Sequence, residues 1–576
     1  MYTDAKNCQI LVALLKAHGI KRVIACPGTT NIDLVSSVMD DPFFEVFSCV
    51  DERHAGYVAV GMAETSHEPV VISCTAATAS RNFIPGLTEA YYRKLPVLAI
   101  TSNREFVQIG NGYDSVLDRT RIQKDIARIS VRCPVVKDEE TRRYCEVEVN
   151  KAILALKQNG GGPAHIELEM KFPLSFKAVE LPKVQKICRF TLPCDNWPEL
   201  PKKKIAVWIG AHNAFTGGEA KALERFLRNH NAVALVSKQS SYTGYGAVSS
   251  ELLCAGNIYN GPYASLVPEV IVHIGQISAG YCTAKYLAKK GPTWRVNEDG
   301  EIQDVLQMTE NIFAVPEKSF FEYYADRDIV SNDFYGQWRR AAEELWSMRP
   351  ELPFSNYWIA QSLYGRVPQN VVLHLSILST IRAWNFCPHV AVQAYTNSGG
   401  FGIDGAVSSM IGASLVAKDK LHLAVVGDLN FFYDLNAIGN RHIGSNLRIL
   451  IANNGEGIEF SLSGNPGHNF GDKTANYIGA GRHFGNKSKD LVRHYAEDLG
   501  FLYLTASNKD EFEVAVKIFL DPGCDRPIVF ECFIDGKDDI RALDLLSNII
   551  EYKPSLKSRV GSLLPSGVKE AIRKVI

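Results

Sequence analysis

The sequence predicts an α/β protein built from three doubly wound, parallel-sheet domains. Short apolar runs typical of buried strands alternate with helical patterns along most of the chain. Between residues 172 and 203 the alternation stops and five prolines accumulate, as expected for a linker. A length of 576 residues also exceeds what one hydrophobic core usually holds. Several α/β domains are therefore expected.

The first domain is predicted over residues 1–180. It begins with an amphipathic helix followed by a strand, and each of its apolar runs ends in a turn-forming or polar residue. Strands separated by helices favour βαβ units around a parallel sheet. The predicted strands lie in KRVIACPG, FEVFSCV, EPVVISCTA, LPVLAITS and GPAHIELE.

Two further blocks and a tail follow. A central α/β domain is predicted over residues 200–345 and a third over residues 355–545. Their strands are predicted in KIAVWIGAHNAF, NAVALVSK and EVIVHIG, then in NVVLHLS, HVAVQAY, LHLAVVGDLN, LRILIANN and RPIVFECF. Residues 546–576 form a basic tail with an amphipathic pattern. Two interpretations of the tail stay open: packing against a neighbouring subunit, or weak, reversible contact with a membrane surface.

Charge and cysteine content narrow the class of protein. The formal net charge is -1, so no global field attracts nucleic acid, and we expect no nucleic-acid partner. The 13 cysteines include no C-x-x-C pair, which favours reduced thiols in a cytoplasmic protein. The amino terminus lacks the pattern of a signal peptide, and no apolar stretch is long enough to span a membrane.

One pattern in the third domain predicts a metal site. Asp428 follows the apolar run LHLAVVG, and Asn453 ends the run LRILIAN, 25 positions later. A strand, a helix and an adjacent parallel strand fit this spacing, so both side chains should lie at the carboxyl edge of the sheet. With the carbonyl of Gly455, they provide hard oxygen ligands suited to Mg²⁺ bound to a diphosphate. A turn without a ligand is the alternative for the Gly427-Asp428 pair alone.

The G-D start and N-N end of this pattern resemble the cofactor motif of thiamin-diphosphate enzymes. The resemblance implies a pyrimidine-binding first domain, a central domain and a diphosphate-binding third domain, with thiamin diphosphate and Mg²⁺ as cofactors. It also implies a glutamate in the first domain that activates the cofactor. Glu52, in the run Asp51-Glu52-Arg53-His54, matches that glutamate. The alternative is a carboxylate that only stabilises a helix amino terminus.

Within this superfamily, the chain is most similar to the menaquinone-pathway synthases that join decarboxylated 2-oxoglutarate to isochorismate. The similarity covers nearly the whole chain and is carried by CPG at 26–28, CTAATA at 74–79, Asn103-Arg104, GIDG at 402–405 and DLN at 434–436. It implies that Ile403 supports the bent cofactor and that Arg104 contacts substrate. It implies cofactor contacts from Gly28, Thr78, Ser376, Ile403, Gly427, Leu429 and Asn430.

The chain departs from these synthases where they hold polycarboxylic substrates with arginines. This chain has Thr29-Thr30-Asn31 where the synthases have Ser-Arg-Ser. It has Asn397-Ser398-Gly399 where they have Asn-Arg-Gly. Thr380 occupies another expected arginine position, and Tyr281-Cys282 replaces a Lys-Arg pair. Since each arginine fork supplies charge-assisted hydrogen bonds, their loss predicts weaker binding of such substrates.

Glu459 separates two functional hypotheses. The first is decarboxylation of a 2-oxo acid followed by carbon–carbon bond formation with an unknown acceptor, as the resemblance implies. The second is nonoxidative decarboxylation that releases an aldehyde, with Glu459 as proton relay. A solvated helix glutamate is the alternative for Glu459 itself. A third hypothesis, a cofactor-binding protein without chemistry, is disfavoured because Glu52, Asp428 and Asn453 are all present. The superfamily resemblance implies a homodimer or homotetramer.

Overall fold

The computed structural model describes residues 1–550, with gaps at residues 76–77, 114–115, 117, 120–121, 173, 188–196, 202, 257–262, 302, 328, 330–331, 390–391, 463, 482 and 484–487. Within these residues, three six-stranded sheets are present and all their strand pairs are parallel. Helices flank each sheet, which confirms the predicted fold class. From residue 551 onward the predicted basic tail lies outside the described residues.

The first sheet has the strand order β2-β1-β3-β4-β6-β5. Its strands are β1 (Arg22–Ala25), β2 (Glu45–Ser48), β3 (Val70–Cys74), β4 (Val97–Arg104), β5 (Ser130–Cys133) and β6 (Ala164–Met170). Its helices are α1 (Lys6–Ala17), α2 (Ile32–Met39), α3 (Glu52–Ser66), α4 (Thr78–Asn82), α5 (Ile84–Tyr92) and α6 (Glu139–Ala155). Ala25 pairs with Ser48 on one side and Ser73 on the other, so the loops after β1, β2 and β3 leave the same edge.

The second sheet has the order β12-β11-β10-β7-β8-β9. Its strands are β7 (Ile205–Ile209), β8 (Val233–Val236), β9 (Ala247–Ser249), β10 (Val270–Ile274), β11 (Thr293–Val296) and β12 (Thr309–Phe313). The accompanying helices are α7 (Gly217–His230), α8 (Glu251–Ala255), α9 (Tyr281–Leu287), α10 (Glu317–Tyr324) and α11 (Phe334–Ser347).

The third sheet has the order β14-β13-β15-β16-β18-β17. Its strands are β13 (Val371–Leu375), β14 (Gln393–Tyr395), β15 (Leu421–Gly427), β16 (Leu447–Asn453), β17 (Leu502–Ala506) and β18 (Ile528–Phe533). Its helices are α12 (Asn356–Leu363), α13 (Ser379–Asn385), α14 (Ala406–Val416), α15 (Asp428–Tyr433), α16 (Asp472–Tyr477), α17 (Leu491–Asp498), α18 (Lys509–Phe519) and α19 (Gly536–Ser547). The two central strands, β15 and β16, have the longest apolar runs of this sheet, as expected for strands covered on both faces.

Helices α3 and α14 join the first and third sheets within one chain. They cross at two glycines: a Cβ on Gly61 would lie 1.9 Å from the carbonyl oxygen of Ser409, and one on Gly412 would lie 2.1 Å from that of Val58. The close backbone approach brings apolar side chains of both helices into one buried cluster. This contact fixes the amino terminus of α3, where Glu52 lies, relative to the third domain.

In the described part of the chain, no helix is both long and apolar enough to cross a membrane. The eleven cysteines there are all free thiols. Most are buried, as expected for cysteines that serve as small apolar side chains.

Candidate active site

The predicted metal ligands lie on adjacent strands of the third sheet. Gly427 ends β15 and pairs with Ala452 of β16, so Asp428 and Asn453 follow this pair at the same edge. Both side chains are buried. Gly455, two residues after Asn453, has a φ of +80°, a conformation that favours glycine. The arrangement predicted from the spacing of 25 positions is thus the one the structure has.

The electrostatics of this edge favour a cation. Burial raises the pKa of the Asp428 carboxyl to about 7, and the nearby carboxylates of Glu531 and Glu456 add to the shift. Burial also raises the pKa of Glu456 and of Glu531. A buried carboxylate near two other carboxylates is stabilised in its charged form when a cation lies beside it.

The Asn453 amide is oriented by β18. Its Nδ2 donates to Glu531 Oε1 at 2.7 Å, and Tyr503 donates to Glu531 Oε2 at 2.7 Å. With the amide nitrogen committed to Glu531, the carbonyl oxygen is the Asn453 atom that can bind a metal. Glu531 therefore fixes the orientation of the Asn453 amide.

The donor set fits Mg²⁺ shared with a diphosphate. Among the described residues, no group of three His, Cys, Asp or Glu side chains could hold a metal ion by itself. A carboxylate, an amide oxygen and a backbone carbonyl leave coordination positions for phosphate oxygens and water, as Mg²⁺ requires. Within the same residues, Glu456 Oε2 and Ser376 Oγ are buried without a hydrogen-bond partner. Polar atoms left in this way are expected where a polar ligand completes the site.

Two loops with unusual backbone conformations border this edge. Ser376 follows β13, and two residues later Leu378 has a φ of +67° at the start of α13. Phe401, two residues before Ile403, has a φ of +56°. Positive φ angles are rare outside glycine and are found preferentially at functional sites. The loops carrying Ser376 and Ile403 are thus held in specific conformations.

The remaining predicted cofactor contacts lie on the turn into α15. Asn430 Nδ2 donates to the carbonyl oxygen of Ile403 at 3.0 Å, which ties the Ile403 loop to the turn that carries Asp428. Leu429 is half-buried in the first turn of α15. A Cβ on Gly427 would lie 3.3 Å from Asn430 Oδ1, so the turn between β15 and α15 is tight.

The first-domain edge gathers the loops after β1, β2 and β3. Gly28 has a φ of +149°, and a Cβ there would lie 2.4 Å from Cβ of Thr75, so glycine is required. Thr30 and Thr75 share a hydrogen bond of 2.6 Å between their hydroxyls. Thr78 is exposed at the start of α4. Gly28 and Thr78, predicted to contact the cofactor, therefore lie on neighbouring loops.

Glu52 is the first residue of α3, but a different residue caps the helix. Asp51 Oδ1 accepts hydrogen bonds from the backbone N–H groups of Arg53 and His54 at 2.8 and 3.2 Å. Since Asp51 provides the cap, the fold does not need the Glu52 carboxylate for this purpose. Burial raises the pKa of the Cys26 and Cys74 thiols, and the charge of Glu52 adds to both shifts. Glu52 is therefore close to the ends of β1 and β3.

A hydrogen-bond network connects the first domain to the third around α3. Asn436 Nδ2 donates to Asp51 Oδ2 at 2.5 Å. His54 Nδ1 and Ser408 Oγ are 2.7 Å apart, Ser408 in turn donates to Asp434, and His54 Nε2 accepts from Asn440 at 2.9 Å. Burial lowers the pKa of His54 to about 4, so the ring is neutral. The DLN run at 434–436 thus positions the helix that carries Glu52.

The two other predicted catalytic residues have specific neighbours. Arg104 ends β4, with its guanidinium 5.8 Å from the centre of the Phe172 ring. Glu459 accepts two hydrogen bonds from Arg382, at 2.7 and 2.8 Å, and both side chains are mostly buried. Glu459 is therefore no solvated glutamate. Its oxygens are committed to holding Arg382, and the role as proton relay stays a prediction.

Several residues of these edges escaped the sequence analysis. Glu531 left a signal, because a charged residue inside the apolar run RPIVFECF requires a polar partner in the sheet. Glu456 gave a weaker signal, its position directly after Gly455, the predicted metal ligand. Arg119 and Arg382 lie in segments without a distinctive pattern, and their contacts connect distant parts of the chain.

Comparison with known proteins agrees with this geometry. Residues 6–125 match the family model described as the thiamine pyrophosphate enzyme, N-terminal TPP binding domain. A curated protein of Bacteroides fragilis, 2-succinyl-5-enolpyruvyl-6-hydroxy-3-cyclohexene-1-carboxylate synthase, is 31% identical over 573 residues, which cover 94% of this chain and 98% of the relative. Proteins of the same name from Bacteroides thetaiotaomicron and Phocaeicola vulgatus are 30% and 29% identical, covering 94% and 97% of the chain and 98% and 100% of the relatives.

These similarities extend over all three domains. They confirm the predicted resemblance, the thiamin-diphosphate dependence and the coupling of 2-oxo acid decarboxylation to carbon–carbon bond formation. The chain belongs to the 2-succinyl-5-enolpyruvyl-6-hydroxy-3-cyclohexene-1-carboxylate synthase family of thiamin-diphosphate-dependent enzymes.

Proposed function

We propose that this enzyme holds thiamin diphosphate through Mg²⁺ bound by Asp428, Asn453 and the carbonyl of Gly455, and that Glu52 activates the cofactor. The observation that carries the proposal is the placement of the buried Asp428 and Asn453 side by side at the ends of β15 and β16, near a Glu456 oxygen that is buried without a hydrogen-bond partner. Residues 1–180, 200–345 and 355–545 would then be the pyrimidine-binding, central and diphosphate-binding domains.

Each group has a role that its surroundings support. When bound, thiamin diphosphate supplies a carbon nucleophile that attacks the carbonyl of a 2-oxo acid and accommodates the charge left by loss of CO₂. Glu52, at the first-domain edge, would be the residue that gives and takes a proton at the pyrimidine ring. Ser376, Gly427, Leu429 and Asn430 would hold the diphosphate. Ile403, on the loop tied to Asn430, would support the ring system, and Gly28 and Thr78 would contact the pyrimidine.

We further propose that the active unit is a homodimer or a homotetramer. In either assembly, the first-domain edge of one subunit would meet the third-domain edge of another. Exposed large apolar side chains support this, because they lie within a few residues of site residues on both edges. On the first domain they are Val50, Phe106 and Val107, and on the third Phe401, Tyr433 and Phe460. The free thiols agree with a cytoplasmic location.

The substrates are a 2-oxo acid and an acceptor. The relatives' name indicates a succinyl donor unit and a cyclohexene carboxylate product for those proteins. In this chain Thr30, Ser398, Thr380 and Tyr281-Cys282 stand where arginines or a Lys-Arg pair were expected, so we propose an acceptor with fewer carboxylates. Carbon–carbon bond formation is favoured over aldehyde release, because Glu459 is engaged by Arg382.

A product assay tests the proposal. The enzyme with thiamin diphosphate and Mg²⁺ is incubated with pyruvate or 2-oxoglutarate, alone and with aldehyde or enolpyruvyl acceptors, and CO₂ and products are quantified. The expected result is CO₂ release with a coupled product when acceptor is present. Stoichiometric aldehyde release with every acceptor would overturn the assignment of bond formation to this chain.

A further inference from the structure

A buried arginine at the first-domain edge has incomplete hydrogen bonding. Arg119 is 2% exposed, and its Nη2 donates to the carbonyl oxygen of Ser102 at 3.3 Å. Its Nε is 3.7 Å from Glu167 Oε1, an ion-pair distance that is too long for a hydrogen bond. Among the described residues, Arg119 Nε and Nη1 are buried without a hydrogen-bond partner.

The carboxylate of Glu167, the ion-pair partner of Arg119, does not fully satisfy the charge and N–H groups of its guanidinium. Glu167 also accepts a hydrogen bond from Asn103 at 2.8 Å, and it forms a second ion pair with Arg132 at 3.7 Å. A buried guanidinium with unused N–H groups is costly unless an anion or another acceptor completes it. The contacts of Arg119 among the described residues therefore leave two N–H groups that an anion would complete.

Arg119 shares its surroundings with the cofactor-activating edge. The Ser102 carbonyl that accepts from Arg119 also accepts from the Thr30 hydroxyl at 3.1 Å, and Thr30 contacts Thr75 beside Gly28. Burial raises the pKa of the Cys74 thiol, Arg119 opposes that shift and Glu52 adds to it, so both charges act on one sulfur. Arg119 and Glu52 thus both lie near the Cys74 sulfur at the end of β3.

The positive charge of this space extends to a second arginine. Arg81, in the helix that begins at Thr78, is close enough that its charge helps burial lower the pKa of Arg119. A planar guanidinium with free N–H groups matches a carboxylate better than any neutral polar group does. A substrate carboxylate is therefore the ligand that the geometry and charge select.

We propose that Arg119 determines donor specificity by binding the carboxylate of the 2-oxo acid substrate that is not released as CO₂. The enzyme thereby selects a dicarboxylic 2-oxo acid over a monocarboxylic one. This inference rests on the proposed position of the cofactor between Glu52 and the third-domain edge.

Two measurements on the enzyme with thiamin diphosphate and Mg²⁺ test the role of Arg119. The first is calorimetric titration with glutarate, a dicarboxylate without a reactive carbonyl, so that binding is measured independently of chemistry. The second compares kcat/KM for 2-oxoglutarate and pyruvate. The variants are Arg119→Gln and Arg119→Lys, and Arg132→Gln is the matched control, because Arg132 also pairs with Glu167.

For Arg119→Gln we expect glutarate to bind roughly 10- to 100-fold more weakly, with a similar loss in kcat/KM for 2-oxoglutarate, expressed mainly in KM. Pyruvate kinetics should change little, Arg119→Lys should retain part of the preference, and Arg132→Gln should behave as wild type. An unchanged ratio of 2-oxoglutarate to pyruvate in Arg119→Gln, or wild-type enzyme that binds no glutarate, would overturn the proposal.

Thermal unfolding and thiamin diphosphate titrations of the variants separate this outcome from other failures. If Arg119→Gln does not fold, the comparison of Arg119→Lys with wild type decides. If wild-type enzyme does not bind thiamin diphosphate, the proposed function fails, whereas glutarate binding still decides whether Arg119 holds a carboxylate.

Discussion

The first-domain and third-domain edges have the same parallel-sheet geometry but different charged side chains. At the ends of β15 and β16, the buried Asp428 and Glu531 lie near the half-buried Glu456, and burial raises the pKa of each carboxyl. At the ends of β1, β3 and β4, Glu52 lies near buried thiols, threonine hydroxyls and the buried Arg119, whose nearest carboxylate is Glu167. The first arrangement favours a cation and the second an anion. A parallel sheet therefore sets where a ligand binds, while side chains from several loops set its charge.

The largest expected effect concerns the first-domain edge. Glu52→Gln removes the proton-exchanging group, so turnover should fall by roughly 10²- to 10⁴-fold while thiamin diphosphate still binds, because the diphosphate contacts belong to the third domain. Steady-state CO₂ release and a cofactor titration check this. The control is Glu45→Gln at an exposed position on β2, which should leave both unchanged. Full turnover in Glu52→Gln would show that another group activates the cofactor.

The next effect concerns the third-domain edge. Asp428→Asn removes the only charged member of the proposed metal ligands, so Mg²⁺-dependent binding of thiamin diphosphate should weaken roughly 100-fold or more. A fluorescence titration of the cofactor at several Mg²⁺ concentrations measures it. Asp419→Asn, at an exposed residue just before β15, serves as the control. Equal cofactor affinity in Asp428→Asn and wild type would contradict the metal assignment.

A third effect concerns the network that joins the two edges. Burial lowers the pKa of His54 to about 4, while Asp51 and Arg53 act on it with opposite signs. Since the unfolded state binds the proton more tightly, His54 contributes stability that is present above pH 6.5 and is lost as the pH falls towards 4. The difference in unfolding free energy between wild type and His54→Asn should shrink by about 2–3 kcal/mol over this range.

Chemical denaturation at several pH values gives this difference. The same substitution at His494, which is exposed on α17, should leave a profile parallel to that of wild type. Parallel profiles for His54→Asn and wild type would mean that His54 is not held neutral between α3 and α14.

The smallest effect separates the two interpretations of Glu459. If its main role is to hold Arg382, Glu459→Gln should lower the unfolding free energy by about 1–2 kcal/mol and change turnover less than tenfold. Glu513→Gln, which breaks a more exposed ion pair with Arg366, should cost less. A loss of turnover of roughly 100-fold without loss of stability would instead support the proton-relay role of Glu459.

The sequence was most informative where the residues of a site lie close together along the chain. The strand-helix-strand spacing between Asp428 and Asn453 predicted their adjacency, because one βαβ unit contains both residues. Four of the strands absent from the prediction, β5, β9, β12 and β17, are edge strands, and their mixed, half-exposed side chains blur the apolar pattern. The fifth, β11, is buried inside its sheet, but its four residues are too few to give a clear pattern.

Contacts between distant segments were the least predictable. Glu531 orients Asn453 from a strand 78 residues further along, and Arg119 reaches Ser102 from a segment without a clear pattern. The loop after β1 has Thr30 where an arginine was expected, and the guanidinium of Arg119 donates to the same carbonyl oxygen as Thr30. Comparing the sequence with the family position by position shows that the arginine expected at Thr30 is missing. It does not show that Arg119 lies nearby in space.

The central claim is that the two edges complete one site across two subunits, and mixing inactive variants tests it directly. Glu52→Gln and Asp428→Asn subunits are combined, allowed to exchange, and assayed for CO₂ release. If the sites are shared, a mixed dimer contains one intact site, and an equimolar mixture should recover about a quarter of wild-type activity. Activity that stays at the level of the separate variants, with subunit exchange verified, would contradict the claim.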